Sequence, residues 1–432
     1  MKKIVFGFTL LTIAAWAFGL WITPPAPNAR AVAHEAFYVT GTLAWGWMAI
    51  AIMIAARPAW LERVTGVPLD RLYAWHKWLG VAAIVLSVVH WFARPLIAPI
   101  IAMMTLEPVP KIAHGGANVS GLAALWGVLR PVATESSIWL TVIAVLLGLA
   151  AFVRRIGYGT WFKTHRLFSI IFLLLTLHSI RLMDEADFMT PFGWINIAVT
   201  IIGAWYSIRV LFFGAGSSKT VNGTVESVES TGGVTALRIK PEKKLDLKPG
   251  MFVFIKTGRE QKHPFSVAGT DEKGGVELLI KALGDYTSET VPALKPGDPV
   301  KIEGGWGHFA PDFSDAKQVW AAAGIGIAPF CAWLKAAGGK KLANVRLLWC
   351  VKSKKEEPLY ERVVKLCQEA GVQLEVYESR GPRLDPATLF TDSRPEKLAV
   401  CARPKLADGI IAAWKKAGGS EADVLRENFV WR

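Results

Sequence analysis

The chain has 432 residues, a net charge of +14 and 52% hydrophobic residues, enough length for a membrane domain and a two-lobed soluble one. A basic balance can mark a nucleic-acid binder. Beside long apolar runs, positive charge retained on the cytoplasmic side is the simpler account, so no nucleic-acid partner is expected. The four cysteines, Cys331, Cys350, Cys367 and Cys401, all lie in the second half with no C-x-x-C, which points to reduced cytosolic thiols rather than a disulfide frame.

Residues 1–213 are rich in Leu, Ile, Ala and Trp with sparse charge. Six stretches, roughly 4–22, 37–56, 74–101, 137–153, 166–182 and 192–213, are long enough to cross a bilayer at about 20 residues each. Lys2 and Lys3 precede the first. Arg57, Arg63 and Arg71 separate the second from the third, and Arg154, Arg155, Lys163 and Arg166 the fourth from the fifth. The opposite loops are poorer in Lys and Arg, and one carries Asp184, Glu185 and Asp187. The positive-inside rule then puts both termini in the cytoplasm. A second reading takes the first stretch as a signal peptide with small residues near Ala31–Ala33; five spans and the same cytoplasmic C-terminus remain.

Gly214–Ser217 reads as a linker. Short Val-, Phe- and Ile-rich segments follow: Val221–Val228, Val234–Ile239, Met251–Ile255, Val276–Ile280 and Pro299–Glu303. With little helical pattern between them, they predict a small antiparallel barrel over 218–313. From about Gln318 strands alternate with helices, as in a parallel sheet, at Val319–Ala322, Val345–Val351, Gln373–Tyr377 and Leu398–Cys401. This second α/β part spans 314–432.

Two pairs of histidines fall inside the apolar runs, His76 with His90 and His165 with His178. A histidine at membrane depth is costly and usually functional, and neutral imidazole is a good axial ligand for haem iron. Both bearing spans run outward, so His76 faces His165 at an inner centre and His90 faces His178 at an outer one. Fourteen residues of helix correspond to roughly 21 Å, a sensible separation for two stacked haems. Lys77 and Arg166 follow the inner histidines, while Arg94 and Arg181 lie just beyond the outer ones, suited to anionic propionates. The 13-residue step from His165 to His178 turns the second ring about 140° from the first, which calls for a local distortion or for haems that do not stack squarely. The plain alternative is four histidines hydrogen-bonded within a helix bundle. His34 and His114 read as loop residues, and the long outer connection from Ala93 to Ser136 as the surface an acceptor meets.

Further on, His263-Pro264-Phe265-Ser266 is expected to end a barrel strand and Gly284-Asp285-Tyr286-Thr287 to follow another. The second segment can present N–H groups and a hydroxyl to a pyrophosphate. Gly324-Ile325-Gly326-Ile327-Ala328-Pro329 follows the strand Val319–Ala322 and opens a helix, letting the backbone approach a dinucleotide. Ser379-Arg380 follows the third strand of the sheet, where an Arg suits a dianionic 2′-phosphate. No acid ends the preceding strand at Val351, where NAD use would place one.

In these motifs, the two histidine pairs and a terminal Glu427-Asn428-Phe429, the chain resembles the NADPH oxidase/ferric reductase superfamily, with a ferredoxin–NADP reductase-like soluble half. The resemblance covers nearly the whole chain. It implies a transmembrane di-haem domain in 1–213, an FAD barrel in 218–313 and an NAD(P)H-binding domain in 314–432. It further implies His76, His90, His165 and His178 as haem ligands, with His263 to Ser266, Lys281, Gly284 and Thr287 against FAD. Gly324, Gly326, Pro329, Ser379 and Arg380 would hold the nucleotide, and Cys401, Glu427 and Phe429 would stand at the hydride-transfer centre. Phe429 would cover the flavin, with Trp431 the competing ring. The chain departs from the family at Cys401-Ala402-Arg403-Pro404, in place of Cys-Gly-Pro, and at Gly304–Phe309, in place of Gly-Pro-Tyr-Gly-x-Phe. The function so implied is electron transfer across a plasma or bacterial inner membrane, from cytosolic NADPH (NADH the alternative) through FAD and two b-type haems. The acceptor would be dioxygen, giving superoxide. A ferric chelate or a partner protein are the alternatives.

Overall fold

Uncharged runs at membrane depth can satisfy their backbone only internally, so they form helices. The computed structural model describes residues 1–22, 24–25, 29–105, 122–153, 158–183, 188–258, 261–381, 383–390 and 395–427. They divide into two units, Met1–Val67 with Leu72–Ser218, and Pro68–Arg71 with Lys219–Arg432.

In the first unit, α1 (Lys2–Ile22), α2 (Ala29–Ala56), α4 (Leu69–Thr105), α5 (Leu122–Ala150) and α8 (Pro191–Phe212) contain five stretches long and apolar enough to cross a membrane. The short α3 (Leu61–Thr65) lies between α2 and α4. The stretch expected at 166–182 forms α7 (Leu167–Arg181), which at 15 residues is too short to count among those five, and Arg166 separates it from the preceding α6 (Tyr158–His165). α4 and α5 run further than the apolar runs suggested, so the connection expected from Ala93 to Ser136 shrinks to 106–121, which lies outside the described residues with His114. His34 is helical, within α2, rather than in a loop, and its ring lies against Tyr38.

Aromatic packing joins these helices. Trp45 of α2 stacks flat on Phe172 of α7, 3.8 Å apart, and its Nε1–H donates to Thr200 of α8. A Cβ at Gly203 would lie 2.1 Å from the Phe172 ring, so only glycine lets α8 come this close. Thr190 caps α8 by accepting from Gly193 N, with Pro191 in the first turn.

The second unit opens with a closed antiparallel barrel, in order β1-β2-β5-β4-β3-β6. Its strands are β1 (Thr220–Thr231), β2 (Val234–Pro241), β3 (Phe252–Thr257), β4 (His263–Thr270), β5 (Val276–Lys281) and β6 (Pro299–Trp306). His263 to Ser266 start β4 rather than end a strand. A parallel sheet of order β11-β10-β7-β8-β9 follows. It comprises β7 (Gln318–Ala323), β8 (Val345–Val351), β9 (Gln373–Glu378), β10 (Lys397–Cys401) and β11 (Val424–Glu427). The connecting helices are α9 (Ala328–Ala336), α10 (Tyr360–Ala370) and α11 (Pro404–Lys416). Barrel and sheet share one core, in which Leu279 and Ala268 pack with Trp320, Phe330 and Trp333. Glu277 of β5 adds a polar clamp, pairing with Lys335 of α9 and, at 2.6 Å, with Arg362 of α10. Burial raises the Glu277 pKa, but the two cations outweigh it and hold the carboxyl below its ordinary value.

Candidate functional site

The four expected histidines meet as two pairs. His76 and His165 have ring centroids 5.8 Å apart, with their Nε2 atoms facing at 3.5 Å. His90 and His178 have centroids 6.4 Å apart. Three rings are anchored through Nδ1: His76 to the Ala51 carbonyl at 2.9 Å, His90 to that of Phe37 at 2.8 Å, and His178 to that of Ala133 at 3.1 Å. A carbonyl only accepts, so Nδ1 carries the proton and Nε2 keeps its lone pair. The hydrogen bonds of the plain alternative therefore exist, and they engage Nδ1 rather than Nε2 on these three rings. Such an anchor on the remote nitrogen is the ordinary support of a metal-binding imidazole. Among the described residues no cluster of three or more His, Cys, Asp or Glu could hold a bare ion. Two opposed neutral imidazoles fit a group that brings its own equatorial ligands, as haem does.

Neighbouring helices shape each pair. Phe37 and Ala51 sit fourteen residues apart on α2, matching the interval between His90 and His76 on α4. A Cβ at Gly41, one turn beyond Phe37, would lie 2.8 Å from the His90 ring. The Phe37 ring stacks on His90 at 3.6 Å. His165 is held differently. Its Nδ1 is buried with no hydrogen-bond partner, Trp161 stacks on it at 5.0 Å, and Phe168 meets it edge-on. Between His165 and His178 the helix is divided at Arg166, whose N still bonds the Phe162 carbonyl at 3.2 Å.

Of the flanking cations, Arg166 donates through Nη2 to the Val210 and Leu211 carbonyls at 3.2 and 2.8 Å, satisfying the open end of α8. Lys77 is exposed, its Nζ 5.3 Å from the Phe152 ring. Arg181 ends α7, and the Arg94 side chain lies outside the described residues.

In the second unit, strand alternation points Val253, Ile255 and Ile302 into the barrel and turns Phe252, Phe254, Pro264, Ser266 and Glu303 to the other face. The register joins Phe254 to both Pro264 and Glu303, and Phe252 to Ser266. His263 lies flat against Tyr286, 3.9 Å apart. Thr287 closes its own loop, accepting from Leu283 N and Gly284 N at 2.9 and 3.1 Å. Among the residues of the commoner Gly-Pro-Tyr-Gly-x-Phe stretch, Trp306 is fully buried and Phe309 stacks on Trp333.

The remaining expected residues converge on the C-terminal edge of the parallel sheet, where open α/β folds bind ligands. β7 has its chain neighbour β8 on one side and β10 on the other, so the order reverses there. Gly324 turns with φ +51°, its carbonyl held by Trp349 Nε1–H at 3.0 Å. A Cβ there would stand 3.9 Å from Lys281 Nζ, so that lysine borders the turn. A Cβ at Gly326 would lie 2.2 Å from the Cys401 carbonyl, so only glycine fits at the switch point. Pro329 lies in the first turn of α9. Cys401 pairs in register with Glu427, both buried, and burial holds the Cys401 thiol well above its ordinary pKa, keeping it protonated. Ser379 N and Oγ bond the carbonyls of Val351 and Lys352. Arg380 extends to Glu356 at 3.1 Å. Phe429 and Trp431 lie outside the described residues.

Sequence reasoning missed Gly41, the anchoring carbonyls and Glu356. The first is a glycine within a helix, whose cost of about 1 kcal/mol against alanine signals a close approach; the carbonyls have no side-chain signature.

Residues 40–176 match the ferric reductase like transmembrane component family, and residues 225–310 match the oxidoreductase FAD-binding domain family. Dual oxidase 2 of Rattus norvegicus is 23% identical over 338 residues, 71% of this chain and 21% of that protein. Putative respiratory burst oxidase homolog protein J of Arabidopsis thaliana is 24% identical over 242 residues, 52% of this chain and 26% of that one. The chain thus spans about a quarter or less of the length of these two relatives. The flavohem-like FAD/NAD binding domain of nitric oxide dioxygenase from Vibrio cholerae aligns with 48% of this chain and 98% of its own, at 18% identity and a TM-score of 0.43.

Proposed function

We propose that this chain, which joins a ferric reductase-like transmembrane component to an oxidoreductase FAD-binding domain, carries electrons from cytosolic NADPH through FAD and two b-type haems to dioxygen on the other side, giving superoxide. The observation that carries the reading is the pair of opposed imidazole couples, with Nδ1 anchored on three of the four rings. His76 and His165 would hold the inner haem, His90 and His178 the outer one. When bound, FAD exchanges the paired electrons of a hydride for single electrons and each haem iron relays them one at a time.

The chain's residues position these groups. The helices keep the two haem sites about four turns apart. Ser266 and its neighbours on the outer face of β3 and β4 would receive the flavin, with Lys281 and the Gly324 turn beside the phosphates. Gly326 and Cys401 would leave a narrow slot for the nicotinamide at the switch point, and Phe429 would cover the flavin until the nicotinamide displaces it. Arg380 would take the 2′-phosphate of NADPH. The Lys and Arg distribution supports a cytoplasmic reductase half.

Purified full-length protein given NADPH and cytochrome c, with and without superoxide dismutase, tests the acceptor. Reduction abolished by the dismutase supports dioxygen. Reduction that survives it, together with turnover of a ferric chelate, supports a ferric reductase instead, and no reduction without an added protein supports a redox subunit. Arg380→Ala should raise KM for NADPH about 10- to 150-fold, the loss of a charge-assisted contact of about 1.5–3 kcal/mol, and leave NADH nearly unaffected. Equal effects on both nucleotides would refute that role.

A further inference from the structure

The cation assigned to the nucleotide phosphate is not alone at its corner. Arg380 Nη1 stands 3.1 Å from Glu356 Oε1, and Lys352 Nζ stands 3.5 Å from Glu356 Oε2. The three side chains come from the loops just beyond β8 and β9, which Ser379 ties together through Val351 and Lys352. In a dinucleotide fold the phosphates lie on the first glycine turn, and the ribose 2′ position meets the end of the second strand. Here the turn is Gly324–Ile327 and the strand is β8. A carboxylate that accepts the 2′-hydroxyl there favours NAD, and a cation favours NADP. β8 itself ends on Val351 without an acid, but Glu356 returns a carboxylate to the same corner five residues later. The neighbouring Glu378 is committed, accepting Lys354 N at 2.6 Å.

We infer that Glu356 sets the nucleotide preference of this site: its carboxylate opposes a ribose 2′-phosphate and accepts a free ribose 2′-hydroxyl, so one corner serves both nucleotides. This rests on the reading of Arg380 as the phosphate-binding cation. The pair is exposed, at 63% for Arg380 and 51% for Glu356. Exposed pairs hold weakly, so a phosphate can take Arg380 from Glu356. The carboxylate then remains a few ångströms from a charge of its own sign. Two unit charges about 4 Å apart in water repel by about 1 kcal/mol, about fivefold in affinity.

The probes are 2′,5′-ADP and 5′-AMP, which differ in that phosphate, titrated calorimetrically into the full-length FAD-loaded protein at low ionic strength, where screening is least. Glu356→Gln should raise the ratio of the 5′-AMP to the 2′,5′-ADP dissociation constant about fivefold or more. In the Arg380→Ala background the ratio should fall about tenfold or more from that of the unaltered protein. If Arg380→Ala collapses the ratio while Glu356→Gln leaves it within twofold, Glu356 has no part in the preference and the reading of Arg380 stands. If Arg380→Ala leaves the ratio unchanged, both fall. Both side chains are exposed, so neither variant threatens folding.

Discussion

The two histidine pairs look alike in sequence and are built differently. Both rings of the outer pair are held by carbonyls of neighbouring helices, His90 by Phe37 of α2 and His178 by Ala133 of α5. In the inner pair only His76 has such an anchor; His165 ends its helix with a bare Nδ1, wedged between Trp161 and Phe168. A hydrogen bond on the remote nitrogen fixes the tautomer and makes the ligating nitrogen more basic. Aromatic contacts fix only the plane of the ring. On the proposed reading, the outer site is therefore the more rigid and the inner site the more adaptable.

The largest effects come from deleting ligands. His90→Leu or His178→Leu should leave one haem per chain, and His76→Leu or His165→Leu should leave the other, while the unaltered protein shows two haems with a six-coordinate low-spin spectrum. One haem or none in well-folded, unaltered protein would break the comparison at its root. Next in size is Gly41→Ala, whose methyl would meet the His90 ring. Losing a supporting contact of this kind costs about 10- to 100-fold in affinity, so haem release during dilution should come from the outer site alone. Release from both sites equally would mean that α2 does not support His90 in particular. Smaller again is Trp161→Leu, which removes a stacked ring worth about 0.5–1.5 kcal/mol. Redox titration should then move the inner haem and leave the outer one in place; a shift confined to the outer haem would reverse the assignment. Smallest is Phe429→Ser, expected to keep FAD, tighten the nicotinamide and weaken the preference for NADPH. Trp431→Ser is its comparison, and charge-transfer absorbance reads which ring covers the flavin.

Periodicity made much of this legible. Apolar runs located the long helices, and the spacing of His76, His90, His165 and His178 was enough to predict which rings meet. The awkward 13-residue step asked for a distortion or for haems that do not stack squarely, and the division of α6 from α7 at Arg166 had no signal of its own. What stayed hidden depended on partners without a side-chain signal. Backbone carbonyls read the same at every residue, so Phe37 and Ala51 were invisible as anchors. β11 is four residues long and gains its strand character by pairing with β10, a tertiary effect that local propensity does not encode. Glu356 escaped because it reaches Arg380 from a loop rather than from the end of a strand.

The bonds from Arg166 to the last carbonyls of α8 have a mechanical consequence. α8 is the final helix before the linker at 214–217, which is itself tied back to the end of α2, Gly216 N donating to the Ala56 carbonyl at 2.9 Å and Arg57 Nη2 to that of Ala215 at 3.3 Å. Arg166 joins the end of α8 to the residue beside it, His165, whose Nδ1 has no carbonyl to hold it. His178 lies a helix away along α7 and is tethered to α5. On the proposed reading, a displacement of the end of α8 registers at one imidazole of four before the others.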